Sequence, residues 1–328
     1  MGISVLSLFD GMACGLVALK RAGIAVDNYY AAEIDPYAMK IAKKNHPEII
    51  HLGDVQNWQK WDLPKIDLLI GGSPCQGFSN AGQGRNFDDP RSKLFFTYVD
   101  ILFHLIDQNP KVQFLLENVK MKTEWQSIIT NNLGVDPIEI NSALVSAQNR
   151  KRLYWANWEI EQPEDKGIYL KDIILSDAYP VALHNVYGGF GEKVNRVFID
   201  KSPTIRTPSG GGHIPSILKS LVHSPQAIDY MNRKTSDGRD HWSFEHHSDI
   251  RDLKSAAVVA NFFKGVPYNV LRDLDCIRKF HPLECERLQT LPDGYTEGVS
   301  NTQRYKMIGN GWTVDVITHI LKSNPNLI

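Results

Sequence analysis

A cysteine held behind a proline, a carboxylate closing an apolar run, and two arginines separated by one residue are the side chains in this sequence best suited to covalent chemistry. The cysteine stands in Gly71-Gly72-Ser73-Pro74-Cys75-Gln76-Gly77-Phe78-Ser79. It follows a strand-like run, the proline fixes its approach, and a Gly-rich loop continues to Pro90. A thiolate beside a cation or a helix start is a strong nucleophile, whereas an isolated Pro-Cys is more often a small buried residue in a tight turn. The carboxylate is that of Glu117-Asn118-Val119. At a strand end it can cap a helix or face water, or it can lie in a cleft and share a proton. The arginines belong to Gln148-Asn149-Arg150-Lys151-Arg152. Alternation along a strand puts Arg150 and Arg152 on one face, as a solvated edge or as a pair of planar donors for a carbonyl or phosphate.

A second set of residues has the makings of a cofactor pocket. Phe9-Asp10-Gly11-Met12-Ala13-Cys14-Gly15 is a Gly-containing turn between a strand and a helix, where a ligand can approach the backbone closely. It lacks the G-x-G-x-x-G of dinucleotide enzymes, which weakens a nicotinamide reading. Glu33 ends the second strand, where an acid can accept hydrogen bonds from ribose hydroxyls. Asp54, further on, could accept one from an adenine amino group.

The elements that must position these groups alternate. Ile3–Phe9 reads as a strand, Cys14–Ala22 as a helix, Tyr29–Ile34 as a strand, and Pro36 opens a helix reaching Asn45. Asp67–Ile70 is a buried strand, Ser92–Asp107 a long amphipathic helix, Phe114–Leu116 another strand, and Arg304–Leu321 is helical in pattern. The rhythm predicts an α/β fold with a doubly wound, mostly parallel sheet. Ligands of such sheets bind outside the carboxyl ends of the strands. Phe9–Gly15, Glu33, Ser73–Cys75 and Glu117 should therefore converge on one crevice.

From about Pro163 to Leu274 glycine and proline become dense and the helical period fades, which predicts a second, smaller, irregular domain. The division expected is 1–162, completed by 303–328, against 163–302. The whole chain is nearly neutral, with 36 basic and 37 acidic residues, so any nucleic-acid surface must be local. Between Lys193 and Arg239, eight basic residues against three acidic ones give such a patch weak support. The four cysteines form no C-x-x-C pair, which argues against a disulfide framework and a cysteine-built zinc site. Neither a signal peptide nor a membrane-spanning run is evident, so a soluble, cytoplasmic protein is expected.

Taken in order, these segments resemble the DNA cytosine-5 methyltransferase family. The resemblance is carried by Phe9–Gly11, Pro74-Cys75-Gln76, Glu117–Val119, the set Gln148, Arg150 and Arg152, the set Arg287-Leu288-Gln289 with Pro292, and Gly309-Asn310. The Phe-Asp-Gly-x-Ala start and Trp312-Thr313-Val314 look closer to the catalytic domain of the animal de novo enzymes. Gly311 departs from the serine common after Gly-Asn.

The resemblance implies a Rossmann-like fold dependent on S-adenosyl-L-methionine, with a target recognition domain in the middle of the chain. It implies methylation of carbon 5 of a cytosine flipped out of double-stranded DNA. Cys75 would attack carbon 6, Glu117 would serve ring nitrogen 3, and Arg150 and Arg152 would hold the oxygen at carbon 2. The donor would be held by Phe9, Asp10, Gly11, Met12, Ala13, Cys14, Glu33, Ile34, Asp54, Val55, Pro74, Leu94, Asn310, Gly311 and Trp312. The loop Gly77–Pro90 would close over the base. No metal is expected, the histidines of His241–His247 serving DNA contact instead, and the enzyme should act as a monomer on DNA. A transfer-RNA enzyme of the same family is the nearest rival, but its Cys-Phe-Thr signature is missing. A DNA-binding regulator with a dead site would have no use for the Pro-Cys.

Overall fold

The computed structural model describes residues 2–73, 90–175, 178–184, 196–205, 215–219 and 277–327. A seven-stranded sheet forms its centre. The strands are β1 (Ile3–Leu8), β2 (Val26–Ala32), β3 (Ile50–Gly53), β4 (Leu68–Gly71), β5 (Gln113–Val119), β6 (Ile138–Asn141) and β7 (Lys151–Ala156), in spatial order β3-β2-β1-β4-β5-β7-β6. β1 to β5 run parallel, and β7 lies antiparallel between β5 and β6. The doubly wound, mostly parallel sheet read from the sequence is therefore present, with its order reversing between β1 and β4.

Both faces of the sheet are covered, which is why its strands read as unbroken apolar runs. Alternation splits each strand between two cores. Val5, Leu68, Ile70 and Leu115 face one, together with α1 (Cys14–Ala22) and α2 (Pro36–Asn45). Leu6, Leu8, Leu69, Phe114 and Leu116 face the other, under α3 (Pro90–Gln108) and α4 (Thr123–Leu133). The bounds of α1 and α2 match the sequence reading because their ends carry local signals. Gly23 closes α1 at φ 78°, and the Asp35 carboxylate caps α2 ahead of Pro36.

Other bounds moved. β2 begins at Val26 and ends at Ala32, not at Tyr29 and Ile34. β5 runs on to Val119, so Glu117 lies inside a strand that had been expected to stop at Leu116. Arg150 precedes β7 instead of sharing its face with Arg152. The single helix expected over Arg304–Leu321 is two, α7 (Asn301–Asn310) and α8 (Val314–Lys322), because Gly311 turns extended at ψ 165°.

After β7 come α5 (Leu170–Ile173) and a four-stranded antiparallel sheet of β8 (Ala178–His184), β9 (Arg196–Ile199), β10 (Ser216–Lys219) and β11 (Ile277–Lys279). Ala182 and Ile217 join the first core, and so do Cys285, Leu288, Leu291 and Tyr295 on and just after α6 (Pro282–Leu288). No helix among the described residues is long and apolar enough to cross a membrane.

Candidate active site

Sheet register gathers the site. Leu8 pairs with both Ala32 and Gly71, and Gly71 pairs with Leu116, so these four residues form one row. The next row, at the carboxyl edge, is Phe9, Glu33, Gly72 and Glu117.

The turn after β1 is strained. Phe9 and Ala13 hold left-handed backbone, φ 57° and 67°, without being glycine, a conformation that persists where the surroundings over-determine it. Gly11 supplies a third positive φ, 62°, and nothing stands within 4 Å of where its Cβ would be. Its N–H donates to Glu33 Oε2 at 2.8 Å, while Glu33 Oε1 accepts from the N–H groups of Ile34 and Asp35, each at 2.8 Å. Three backbone donors thus fix one carboxylate across the ends of β1 and β2.

Asp10 Oδ1 accepts from the Ser7 and Tyr29 hydroxyls, both at 2.6 Å, and Oδ2 is buried with no partner among the described residues. Burial pushes the Asp10 carboxyl up to about 6, against the pull of the Ser7 and Tyr29 hydroxyls. Met12, Ala13 and Cys14 are buried, and the Met12 carbonyl accepts from Tyr295 Oη at 2.7 Å. Burial drives the Cys14 thiol up to about 12, which makes it chemically inert. Asp54 caps the short 3-10 turn Val55–Lys60 by accepting from Gln56 N–H at 2.9 Å, and Val55 is buried beneath it. Ile34 and Asn310 are exposed, and Leu94 packs half-buried on the second core.

Further along the edge, Glu117 is buried, and each of its oxygens has a partner. Arg152 Nε lies 3.0 Å from Oε1, and the Trp312 indole N–H donates to Oε2 at 3.2 Å. A Cβ on Gly72 would stand 3.0 Å from that indole nitrogen and 3.1 Å from Oε2, so any larger residue there would press on both. Asn118 donates to Ser73 Oγ at 3.1 Å, tying the end of β5 to the end of β4.

Arg150 is put to a different use. Its guanidinium donates to the carbonyls of Ile205 (3.2 Å), Gly311 (3.0 Å) and Gly309 (3.4 Å). Gln289, fully buried, donates to the Ile308 and Gly311 carbonyls and accepts from Thr313 Oγ1, which in turn accepts from Ser142. This clamp on both sides of Trp312 escaped the sequence reading, although Gln148, Gln289 and Arg150 all sat in quoted motifs. Nothing in a motif says which of its polar groups will be buried. Also missed was the Glu286 carboxylate on α6, which is fully buried. It accepts from Arg304, Thr296 and the Gly294 N–H.

The structure thus brings together Phe9, Asp10, Gly11, Met12, Ala13, Cys14, Glu33, Gly311 and Trp312 on one side, and Glu117 with Arg152 on the other, joined through Trp312. Pro74, Cys75, residues 77–89 of the Gly-rich loop, five of the eight basic residues between Lys193 and Arg239, and His241–His247 lie outside the described residues. No cluster of metal-ligating side chains occurs among the described residues.

The chain is similar to known proteins. A family model described as C-5 cytosine-specific DNA methylase matches residues 3–133 and 143–325. The type II methyltransferase M1.ScrFI of Lactococcus lactis subsp. cremoris is 31% identical over 304 residues, covering 89% of this chain and 70% of that protein. The orphan methyltransferase M.SPRI of Bacillus phage SPR is 29% identical over 430 residues, covering 98% and 97%. Among solved structures, a mutant of DNMT2 from Spodoptera frugiperda superposes with a TM-score of 0.62 at 20% identity, covering 98% of this chain and 99% of that one. A putative DNA modification methyltransferase encoded in an E. coli prophage does so at 0.53 and 21%, covering 99% of each. At those identities the structural likeness is one of fold.

Proposed function

Because the chain belongs to the C-5 cytosine-specific DNA methylase family, we propose that it methylates cytosine within a specific double-stranded DNA sequence, on a base flipped from the helix, through a covalent adduct with Cys75. Methylation of DNA at carbon 5 of cytosine, with S-adenosyl-L-methionine as donor, is the family's reaction and this chain's.

The crevice fits that donor. Asp10 Oδ2 is buried and lacks a donor among the described residues, as an oxygen awaiting a cationic ligand would. Gly11 leaves open space at the turn, and Glu33 is oriented by three amides, with lone pairs to spare. We assign the ribose to Glu33, the adenine to Phe9 and Asp54 with Leu94, Ile34 and Val55 around them, and the methionine end to Asp10 through Cys14. Pro74, Asn310, Gly311 and Trp312 would complete the wall. When bound, S-adenosyl-L-methionine supplies an electrophilic methyl group on its sulfonium.

The chain's own residues would do the rest. Carbon 5 of cytosine is a poor nucleophile, and attack of a thiolate on carbon 6 makes the ring enamine-like. Cys14 and Cys285 are both buried, and the Cys14 thiol is held protonated, so neither suits the role. Cys75 follows the end of β4, the strand adjoining both the donor turn and Glu117. Glu117 would hold a proton at ring nitrogen 3, drawing charge out of the ring. Arg152 would stabilise the charge developing on the oxygen at carbon 2. Arg150 would support the turn that carries Trp312. Once carbon 5 is methylated, loss of its proton to water re-forms the double bond and expels Cys75. Base extrusion costs a few kcal/mol, which contacts to the DNA must offset.

The single observation carrying the base-side reading is the Glu117 carboxylate, buried in the sheet-edge row and held by Arg152 and Trp312. We further assign DNA reading to the span 163–302, methyl transfer to 1–162 with 303–328, and the working form to a cytoplasmic monomer that needs no metal. Duplex DNA bearing 5-fluorocytosine at the target, incubated with donor, should leave a covalent complex stable in denaturant. Methylation of duplex DNA without any trapped complex would reject the adduct, and labelling of transfer RNA in preference to DNA would reject the substrate.

A further inference from the structure

We propose that Trp312 is a positioning residue for Glu117. Its indole N–H orients the carboxylate toward the base, so that one side chain links the wall of the donor crevice to the base side. The proposal rests on the reading of Glu117 as the group that serves ring nitrogen 3.

Trp312 has one face in each half of the site. Its ring carbon Cζ3 lies 3.4 Å from the position a Cβ on Gly15 would take, in the donor turn. Its nitrogen lies 3.2 Å from Glu117 Oε2. Gly72 makes this reach possible, since a Cβ there would crowd the indole nitrogen at 3.0 Å. The tryptophan is also held from both chain neighbours. The Gly311 carbonyl before it accepts from Arg150 and Gln289, and the Thr313 hydroxyl after it donates to Gln289 at 2.7 Å. Side chains locked in this way hold a partner in a fixed orientation without loss of entropy when the substrate arrives.

The chemistry of the two groups defines the direction. An indole N–H can only donate, so it always presents a proton to Oε2. The Arg152 guanidinium stands beside Oε1 as an ion pair, its Nε at 3.0 Å. With the indole donor on Oε2 and the Arg152 cation beside Oε1, the carboxyl group is held from both oxygens, and its remaining lone pairs are left for the base. Without the indole nitrogen, Oε2 loses its anchor and the carboxyl can rotate about the Arg152 contact.

The test compares Trp312→Phe, which keeps a ring against Gly15 but removes the N–H, with Glu117→Gln and with the double variant. Single-turnover methylation at saturating DNA and donor is the readout, beside calorimetric binding of S-adenosyl-homocysteine. The expected result for W312F is a rate loss of about tenfold, the scale of one hydrogen bond to a charged group. The loss persists at saturating donor whatever W312F does to analogue affinity through the crevice wall, and the double variant should be no slower than E117Q alone. A W312F rate within about twofold of wild type overturns the proposal, as does a double variant in which the two losses multiply. If W312F does not fold, Gly72→Ala decides, because its methyl presses on both the indole nitrogen and Oε2 at 3.0 and 3.1 Å. A lowered rate with unchanged analogue binding supports the link, and a full rate overturns it. An E117Q enzyme working at the wild-type rate sinks the reading of Glu117 itself, and the proposal with it, and is distinguishable from every other outcome.

Discussion

Replacing Arg150 with alanine separates a base-facing arginine from one that builds the turn beneath Trp312. Its guanidinium reaches the carbonyls of Gly311 at 3.0 Å, Ile205 at 3.2 Å and Gly309 at 3.4 Å, and the residue is only 3% exposed. Hydrogen bonds from a charged donor contribute roughly 1.5–3 kcal/mol each. Counting the Ile205 contact in full and the Gly311 contact at about half, because Gln289 also donates to it at 3.2 Å, the loss comes to about 2–4 kcal/mol of folding stability. Arg150→Lys should recover only part of this, since one ammonium nitrogen replaces the two guanidinium nitrogens that reach the Ile205 and Gly311 carbonyls separately. Arg152→Ala gives the contrast. Its main partner is Glu117 at 3.0 Å, so the loss should fall on the methylation rate more than on folding. Urea denaturation gives the stabilities, and single-turnover methylation gives the rates. If Arg150→Ala folds within about 1 kcal/mol of wild type yet methylates as poorly as Arg152→Ala, then Arg150 faces the base and the structural assignment is refuted.

Three further outcomes are expected. Cys75→Ser should abolish methylation and the 5-fluorocytosine complex while donor and DNA binding persist, and near-normal turnover would move the nucleophile elsewhere. For Asp10, the folded carboxyl titrates near 6 in place of 3.8, so between those values the folded chain holds a proton that the unfolded chain has released. Stability without donor should therefore fall as pH rises from about 4 to 6, by on the order of 3 kcal/mol, and stay lower above it. Asp10→Asn, whose Oδ1 can still accept from Ser7 and Tyr29, should flatten that slope, and thermal melts with parallel pH dependence in the two proteins would contradict it. Glu286→Ala leaves Arg304 buried without its carboxylate, and should lower stability by about 3–5 kcal/mol in denaturant titrations with no specific effect on donor affinity; a change below about 1 kcal/mol would show the ion pair to be dispensable.

What could be read from the sequence was what is decided locally. The Asp35-Pro36 start and the Gly23 stop are signals within a few residues of the helix ends they set, and α1 and α2 came out to the residue. The apolar runs Ile3–Leu8 and Leu68–Gly71 announce strands buried on both faces, and hence a parallel sheet with its ligand crevice at the carboxyl edge. What was hidden depends on distant partners. Asp27 and Asn28 disguised the start of β2, where a register shift between Ile3 and Ser4 leaves Asp27 out of the pairing with β1. The burial of Arg150 depends on carbonyls 55 and 161 residues away. The Trp312–Glu117 bond spans 195 residues. Motif position marked Arg150 and Arg152 as equals. Packing made one of them a clamp and the other the partner of Glu117.

The register explains why such distant residues can be relied on to meet. Phe9, Glu33, Gly72 and Glu117 are each the residue following Leu8, Ala32, Gly71 and Leu116, which pair across four adjacent strands. In a sheet buried on both faces, a slip of one residue would turn every core side chain toward the wrong layer. Val5 and Leu6, or Leu68 and Leu69, would exchange cores, and the two cores differ in shape because α1 and α2 fill one and α3 and α4 the other. The apolar alternation that holds the strands in phase is therefore also what aligns the carboxylates of Glu33 and Glu117 along one edge. Stability of the core and alignment of the site are two consequences of a single constraint, so core substitutions that shift β4 or β5 along their axes should damage methylation before they unfold the protein.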